Sequence, residues 1–242
     1  MPAWLSGLGD ARVVRVVEMT NVLGDGDDYF LELRLATGEP LTVLVYVDHN
    51  MGRIVKDAFV IPDTFDAVQG VFHEKIDDPE TSFADVEPAV ARAIVEEAID
   101  RGARTLPQPE TDTWPMARPL VEWAVRMLPP GGEVPARREW TEQELADLRD
   151  EFFASSYGKD VDGPDERGLA EDFTWYASGW GSGDPLRWSG VRVEVLLIDW
   201  IPRKIVADVD YLAKAPDVLR RFIRYCHDRV GLRPAVTEEV MA

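Results

Sequence analysis

Tyr29-Phe30-Leu31-Glu32-Leu33-Arg34-Leu35-Ala36 decides the fold class. Tyr29, Leu31, Leu33 and Leu35 fall on alternate positions, while Phe30, Glu32, Arg34 and Ala36 take the others, so charge stands on one side only. Side chains of an extended chain point to opposite faces in turn, and this period of two predicts a half-buried strand. The pattern repeats on either side. Upstream, Val13, Val14, Val16 and Val17 lead to Leu23, where Gly24-Asp25-Gly26-Asp27-Asp28 breaks the run. Downstream, Thr37-Gly38-Glu39-Pro40 supplies a tight connection, and Leu41 to Val47 resumes an apolar, β-branched strand. Asp48-His49-Asn50-Met51-Gly52 is a further turn cluster, followed by a shorter run from Ile54 to Ile61. Four strands joined by short turns predict an antiparallel meander.

The periodicity changes after Asp77-Asp78-Pro79. Pro88 suits a first helical turn behind Asp85 as N-cap, and Val90, Ala91, Ile94, Val95, Ala98 and Ile99 recur at helical spacing up to Gly102. A proline-rich connector holding Pro107 and Pro109 precedes a second short helix through Leu120, Trp123, Ala124 and Met127. Thr141 with Glu144 forms a capping box ahead of Leu145, Leu148, Phe152 and Phe153. Residues 191–201 fit two periods, and Ser189 as N-cap with Pro202 as terminator favours helix. Asp217 to Val230 carries a clear apolar stripe, and Thr237 reads as the N-cap of a last helix. The expected fold is α+β: an N-terminal antiparallel β-meander over about residues 10–76, with helices packed on one face. In domain terms this gives a β-rich region at 1–79 and a helical region at 80–242, which can form one composite domain.

Composition narrows the function classes. The 242 residues carry 45 acidic and 26 basic side chains, a net charge of −19, which keeps a protein dissolved and repels phosphate backbones. Hydrophobic residues make up 45% of the chain, and with eight tryptophans they provide ample material for a packed core. A single cysteine, Cys226, excludes an intrachain disulfide and a thiolate zinc cluster. No basic and apolar leader opens the chain, and the apolar run from Val191 to Ile201 is interrupted by Arg192, Glu194 and Asp199. A cytoplasmic protein without a membrane span is expected.

Four features carry possible chemistry, each beside a plainer reading. Asp48-His49-Asn50 has residue types used for metal or acid–base work, yet Asp and Asn are also the usual turn formers. The loop Asp160-Val161-Asp162-Gly163-Pro164-Asp165-Glu166 has alternating carboxylates, but with Asp160 as position one the glycine falls at four instead of six. Between Trp200 and Arg233 lie eight Lys or Arg and four acids, a basic island that includes Arg203, Lys204, Arg220, Arg221 and Arg224. It can meet an acidic partner, an acidic segment of the same chain, or phosphate. The aromatic segment Phe173 to Trp188, with Trp180 among glycines, can form a binding surface or a core. No GxSxG, P-loop or GxGxxG occurs, and no cofactor is expected.

Asp199-Trp200-Ile201-Pro202-Arg203-Lys204 and Ala215-Pro216-Asp217-Val218-Leu219-Arg220-Arg221-Phe222-Ile223-Arg224-Tyr225 resemble a helical segment of uncharacterised actinobacterial proteins, some of which carry plasmid ORF-3-like domains. The resemblance covers about a sixth of the chain. It implies a small helical module with Trp200 as a core anchor, and it implies no activity.

The functional expectation is a non-enzymatic binding or adaptor protein with an acidic protein partner. Its contact residues would come from Arg203, Lys204, Arg220, Arg221, Arg224, Trp180 and Trp188. The alternatives are a metal-binding protein or hydrolase using His49 with nearby acids, and a nucleic-acid-associated protein using the arginine face.

Overall fold

The computed structural model describes residues 3–76, 79–105 and 113–242. Asp77, Asp78 and the connector with Pro107 and Pro109 lie outside the described residues. The fold is α+β, and the chain divides into two compact units, Met1–Ala136 and Arg137–Ala242.

In the first unit β1 (Arg12–Asn21), β2 (Gly26–Arg34), β3 (Pro40–Asp48) and β4 (Ile54–Ile61) form the predicted meander. A fifth strand, β5 (Thr81–Asp85), returns to pair antiparallel with β1, giving the order β4-β3-β2-β1-β5. The alternation sets the register: Tyr29 opposes Val45, Leu31 opposes Val43 and Leu33 opposes Leu41. That face is covered by α2 (Pro88–Arg104) and α3 (Trp114–Arg126), which contribute Ala91, Val95, Val121 and Ala124 to its core.

Helices cover both faces of the sheet, not one. Residues 65–76, expected within the sheet, form α1 (Phe65–Ile76) and pack Phe65 and Val68 on Val17, Phe30 and Leu44. The reason lies in the stretch that decided the fold. Phe30 shares its face with Glu32 and Arg34, so that face is polar at one end and apolar at the other. Phe30 meets Phe65 edge-on at 5.3 Å, and Phe65, Val68 and Phe72 recur at helical spacing behind Thr64, whose hydroxyl accepts the Ala67 N–H. Asp85 caps no helix. It ends β5 and pairs with Arg15 at 2.6 Å, while Glu87 takes the N-cap position ahead of Pro88.

The second unit is helical. The Thr141 capping box forms as read and opens α4 (Glu142–Ala154). There follow α5 (Pro164–Gly179), α6 (Gly190–Glu194), a π-helical stretch Val195–Trp200, and α7 (Ile201–Lys204). The wide π turns insert a residue into the helical repeat, which explains the mixed periodicity of 191–201. Ser189 is the expected N-cap, accepting the Arg192 N–H, but Pro202 lies inside the helical run and does not end it. The long α8 (Val209–Arg229) starts well before Asp217, because Asp208 caps it by accepting the Tyr211 N–H, and Pro216 is accommodated within it. In α9 (Pro234–Met241) Thr237 is internal and Arg233 stands at the N-cap. Phe152, Phe173, Trp188, Leu196 and Phe222 fill the core of this unit.

Gly132 tests the packing of the first unit. A Cβ there would lie 2.0 Å from the Ala89 carbonyl oxygen in the first turn of α2, and backbone cannot yield as a side chain can. Gly132→Ala is expected to destabilise this unit by about 1–3 kcal/mol in denaturant unfolding. At Gly131 next to it, a Cβ would meet no atom within 4 Å, but its φ of +94° makes alanine strained there as well.

Candidate functional site

The second unit is arranged around α5, whose two faces differ. Leu169, Ala170, Phe173, Tyr176 and Ala177 are buried in the core. Gly168, Glu171, Asp172 and Trp175 recur at i, i+3, i+4 and i+7 on the other side and line one wall of a cleft. Glu142, Leu145 and Arg149 of α4 form the facing wall, and Tyr211 of α8 completes it, around a volume of about 560 Å³.

Within the cleft Arg149 is matched, pairing with Glu142 at 2.8 Å and donating to the Thr174 hydroxyl at 2.9 Å. Tyr211 donates its hydroxyl to Asp172 at 3.1 Å. Burial, with a further push from Glu171, raises the Asp172 carboxyl above its ordinary range even though the tyrosine bond opposes this. The same surroundings push the Tyr211 phenol up.

Trp175 is held at the cleft's edge by other rings. It meets Trp200 edge-on at 5.0 Å and Trp180 at 5.9 Å, while Trp180 meets Trp200 at 5.6 Å. Trp200 is buried, whereas Trp175 and Trp180 keep 49% and 39% of their surface exposed. Exposed aromatics that are already rigid lose little entropy on binding.

The segment after α5 is fixed by a buried guanidinium. Arg192 is 0% exposed; it donates to the carbonyls of Ala177 (3.0 Å), Asp184 (2.9 Å) and Arg187, and to the Ser182 hydroxyl (3.1 Å). Its fork thereby ties the end of α5 to the glycine-rich loop behind it. Trp188 and His227 extend the network. The Trp188 N–H donates to His227 Nε2 at 3.1 Å, and Nδ1 lies 3.0 Å from the Thr237 hydroxyl. Burial, with the Arg187 charge, holds the His227 imidazole down at about 4.

The residues singled out from sequence fare differently. Trp188 is fully buried, with its indole N–H on the Pro185 carbonyl and its ring against Phe222, so it offers a partner nothing. Trp180 is exposed. Arg203 pairs with Asp199 and Arg221 with Asp217 one helical turn away, and Arg224 pairs with Glu238 at 3.5 Å. Arg220 and Lys204 are exposed and have no ion-pair partner among the described residues. His49 is engaged at both ring nitrogens, 3.1 Å from the Gly24 carbonyl and 3.0 Å from Asp27, tying one turn to the next. The acidic loop is spent on the chain's own cations, Asp162 on Arg167 and Asp165 with Glu166 on Lys214. Among the described residues, no group of three or more His, Cys, Asp or Glu is arranged to hold a metal ion. No helix among them is long and apolar enough to cross a membrane. The polar stripe of α5 escaped the sequence reading because the apolar residues interleaved with it dominate the pattern; its i, i+3, i+4, i+7 spacing was the available signal.

No family model, curated protein or solved structure matches the chain.

Two titrations follow. The folded His227 binds its proton more weakly than an unfolded histidine, so its contribution to stability is complete above about pH 6.5 and is lost as pH falls towards 4. The unfolding free energies of wild type and His227→Gln should converge over that window by roughly 1.4 kcal/mol per pH unit. Asp28 has the opposite sense. Burial, with Asp27 and Asp57, raises its carboxyl to about 7, so folding loses stability as pH rises from the ordinary carboxylate range through 7. Asp28→Asn should stabilise the protein at pH 8 and leave it little changed at pH 4.

Proposed function

We propose that this chain is a non-enzymatic binding or adaptor protein that makes its contact through the aromatic segment of the second unit. The observation that carries this reading is Trp175: half exposed, braced by Trp180 and Trp200, and forming part of a cleft wall. Large aromatic side chains fixed beside a concavity are the usual energetic centre of an interface. The single, buried Cys226 fits the reducing cytoplasm.

The basic helix supports a second reading, an acidic protein partner, through exposed Arg220 and Lys204. It is the weaker of the two because Arg203, Arg221 and Arg224 already meet carboxylates of their own chain.

Affinity capture from a lysate separates the two readings, using wild type, Trp175→Ala/Trp180→Ala and Arg220→Glu as baits with melting curves to verify folding. Proteins or ligands retained by wild type and Arg220→Glu but lost from the tryptophan variant are the expected result. Loss with Arg220→Glu alone moves the contact to the basic helix. A captured set indifferent to both variants contradicts the proposal.

A further inference from the structure

Two clefts of similar size lie between helices, and their charge balance differs. The groove between α2 and α3, about 590 Å³, is lined by Glu96, Glu97, Asp100 and Glu122 with Arg92, Arg118 and Arg126. Each of its acids meets an arginine one turn away on its own helix: Glu96 with Arg92, Glu97 with Arg101, Asp100 with Arg104, and Glu122 with both Arg118 and Arg126. That groove is neutralised from within.

The cleft of α4, α5 and α8 is not. Arg149 answers Glu142, but Glu171 and Asp172 meet no cation among the described residues, and the one polar contact of Asp172 is the neutral Tyr211 hydroxyl. Two carboxylates without counter-charge, Asp172 partly buried and Glu171 exposed, therefore share the cleft with two aromatic rings, Trp175 and Tyr211. Bringing a cation there relieves the desolvation that Asp172 bears, and the ring faces attract positive charge as well. An alkyl stem can meanwhile lie along Leu145 and the indole. A guanidinium or phosphate partner is less suited: Arg149 already presents a guanidinium, and anions meet two like charges.

Gly168 supports the same assignment. A glycine inside a helix costs about 0.5–1 kcal/mol relative to alanine. Here a Cβ would stand 2.9 Å from the Tyr211 hydroxyl oxygen, so its absence lets Tyr211 reach the cleft wall and Asp172.

We infer that the cleft between α4, α5 and α8 binds an alkylammonium group, seated between Glu171 and Asp172 and flanked by Trp175 and Tyr211. The inference rests on the binding-protein reading and supplies its ligand chemistry. The group can come from a free polyamine or from a lysine side chain of a peptide.

Calorimetric titration of the full chain with spermidine and with tetralysine at low salt tests it. Binding by either probe should weaken about tenfold or more in Glu171→Gln/Asp172→Asn. It should be unchanged in Glu96→Gln/Glu97→Gln, which removes the same charge from the other groove. Gly168→Ala should weaken it too, with the fold retained. Spermidine alone binding identifies a polyamine ligand, tetralysine alone a peptide lysine, and both outcomes uphold the chemistry. Equal weakening in the two double variants shows general attraction to an acidic chain and overturns the inference, as does no binding at all. If neither probe binds while tryptophan-dependent capture persists, the ligand chemistry falls and the binding reading stands.

Discussion

The burial of Arg192 is the constraint on which the second unit depends. A guanidinium cannot lose its charge, and removing it from water is tolerable only if its donors are met. Here the carbonyls of Ala177, Asp184 and Arg187 surround it, which means that the end of α5, the loop of residues 180–189 and the start of α6 hold each other in one arrangement. Replacing this side chain by a smaller one would take a donor from the buried Ala177 carbonyl and the part-buried Asp184 and Arg187 carbonyls, a cost beyond that of a simple cavity. The neutral His227, held by the Trp188 amide and facing Thr237, closes the same arrangement from α8 and α9.

From this frame the proposed binding surface follows. Because Arg192 holds the segment behind α5, Trp180 and Trp200 are placed to brace Trp175, and Trp175 reaches the cleft as a fixed wall. Because the apolar side of α5 is used up in the core, its other side is free to carry Glu171 and Asp172 towards the cleft. The net charge of −19 acts at longer range, drawing cations towards the protein before any specific contact is made.

Much of the fold was legible in the sequence. The alternation at Tyr29–Ala36 and the turn clusters around it mark the meander, and the Thr141–Glu144 box marks α4, because both signals are local. What local patterns do not encode is partnership at a distance. The return of β5 to β1 and the covering of Phe30 by α1 depend on strands and helices far apart in the chain. The clear apolar stripe begins only at Asp217, whereas α8 starts at Val209 and holds Pro216 inside it, with Asp208 as its cap and Ala215 and Val218 packed in the core. The candidate site was half legible. Trp180 and Trp188 look alike in sequence, yet Trp180 is exposed and Trp188 is core, since glycine-rich surroundings do not tell a buried indole from an exposed one. The basic helix stood out by charge, whereas its pairing with Asp217 and Glu238 is a matter of geometry.

The proposed cation site on the polar stripe of α5 has Trp175 at its edge. The most direct measurement follows the indole N–H resonances of the eight tryptophans during addition of spermidine or tetralysine to the full chain. Binding at the polar stripe of α5 gives a saturable shift led by Trp175, with Trp123 of α3 unmoved. Saturable shifts at Trp123 with Trp175 silent, or no saturation at any indole, would contradict it.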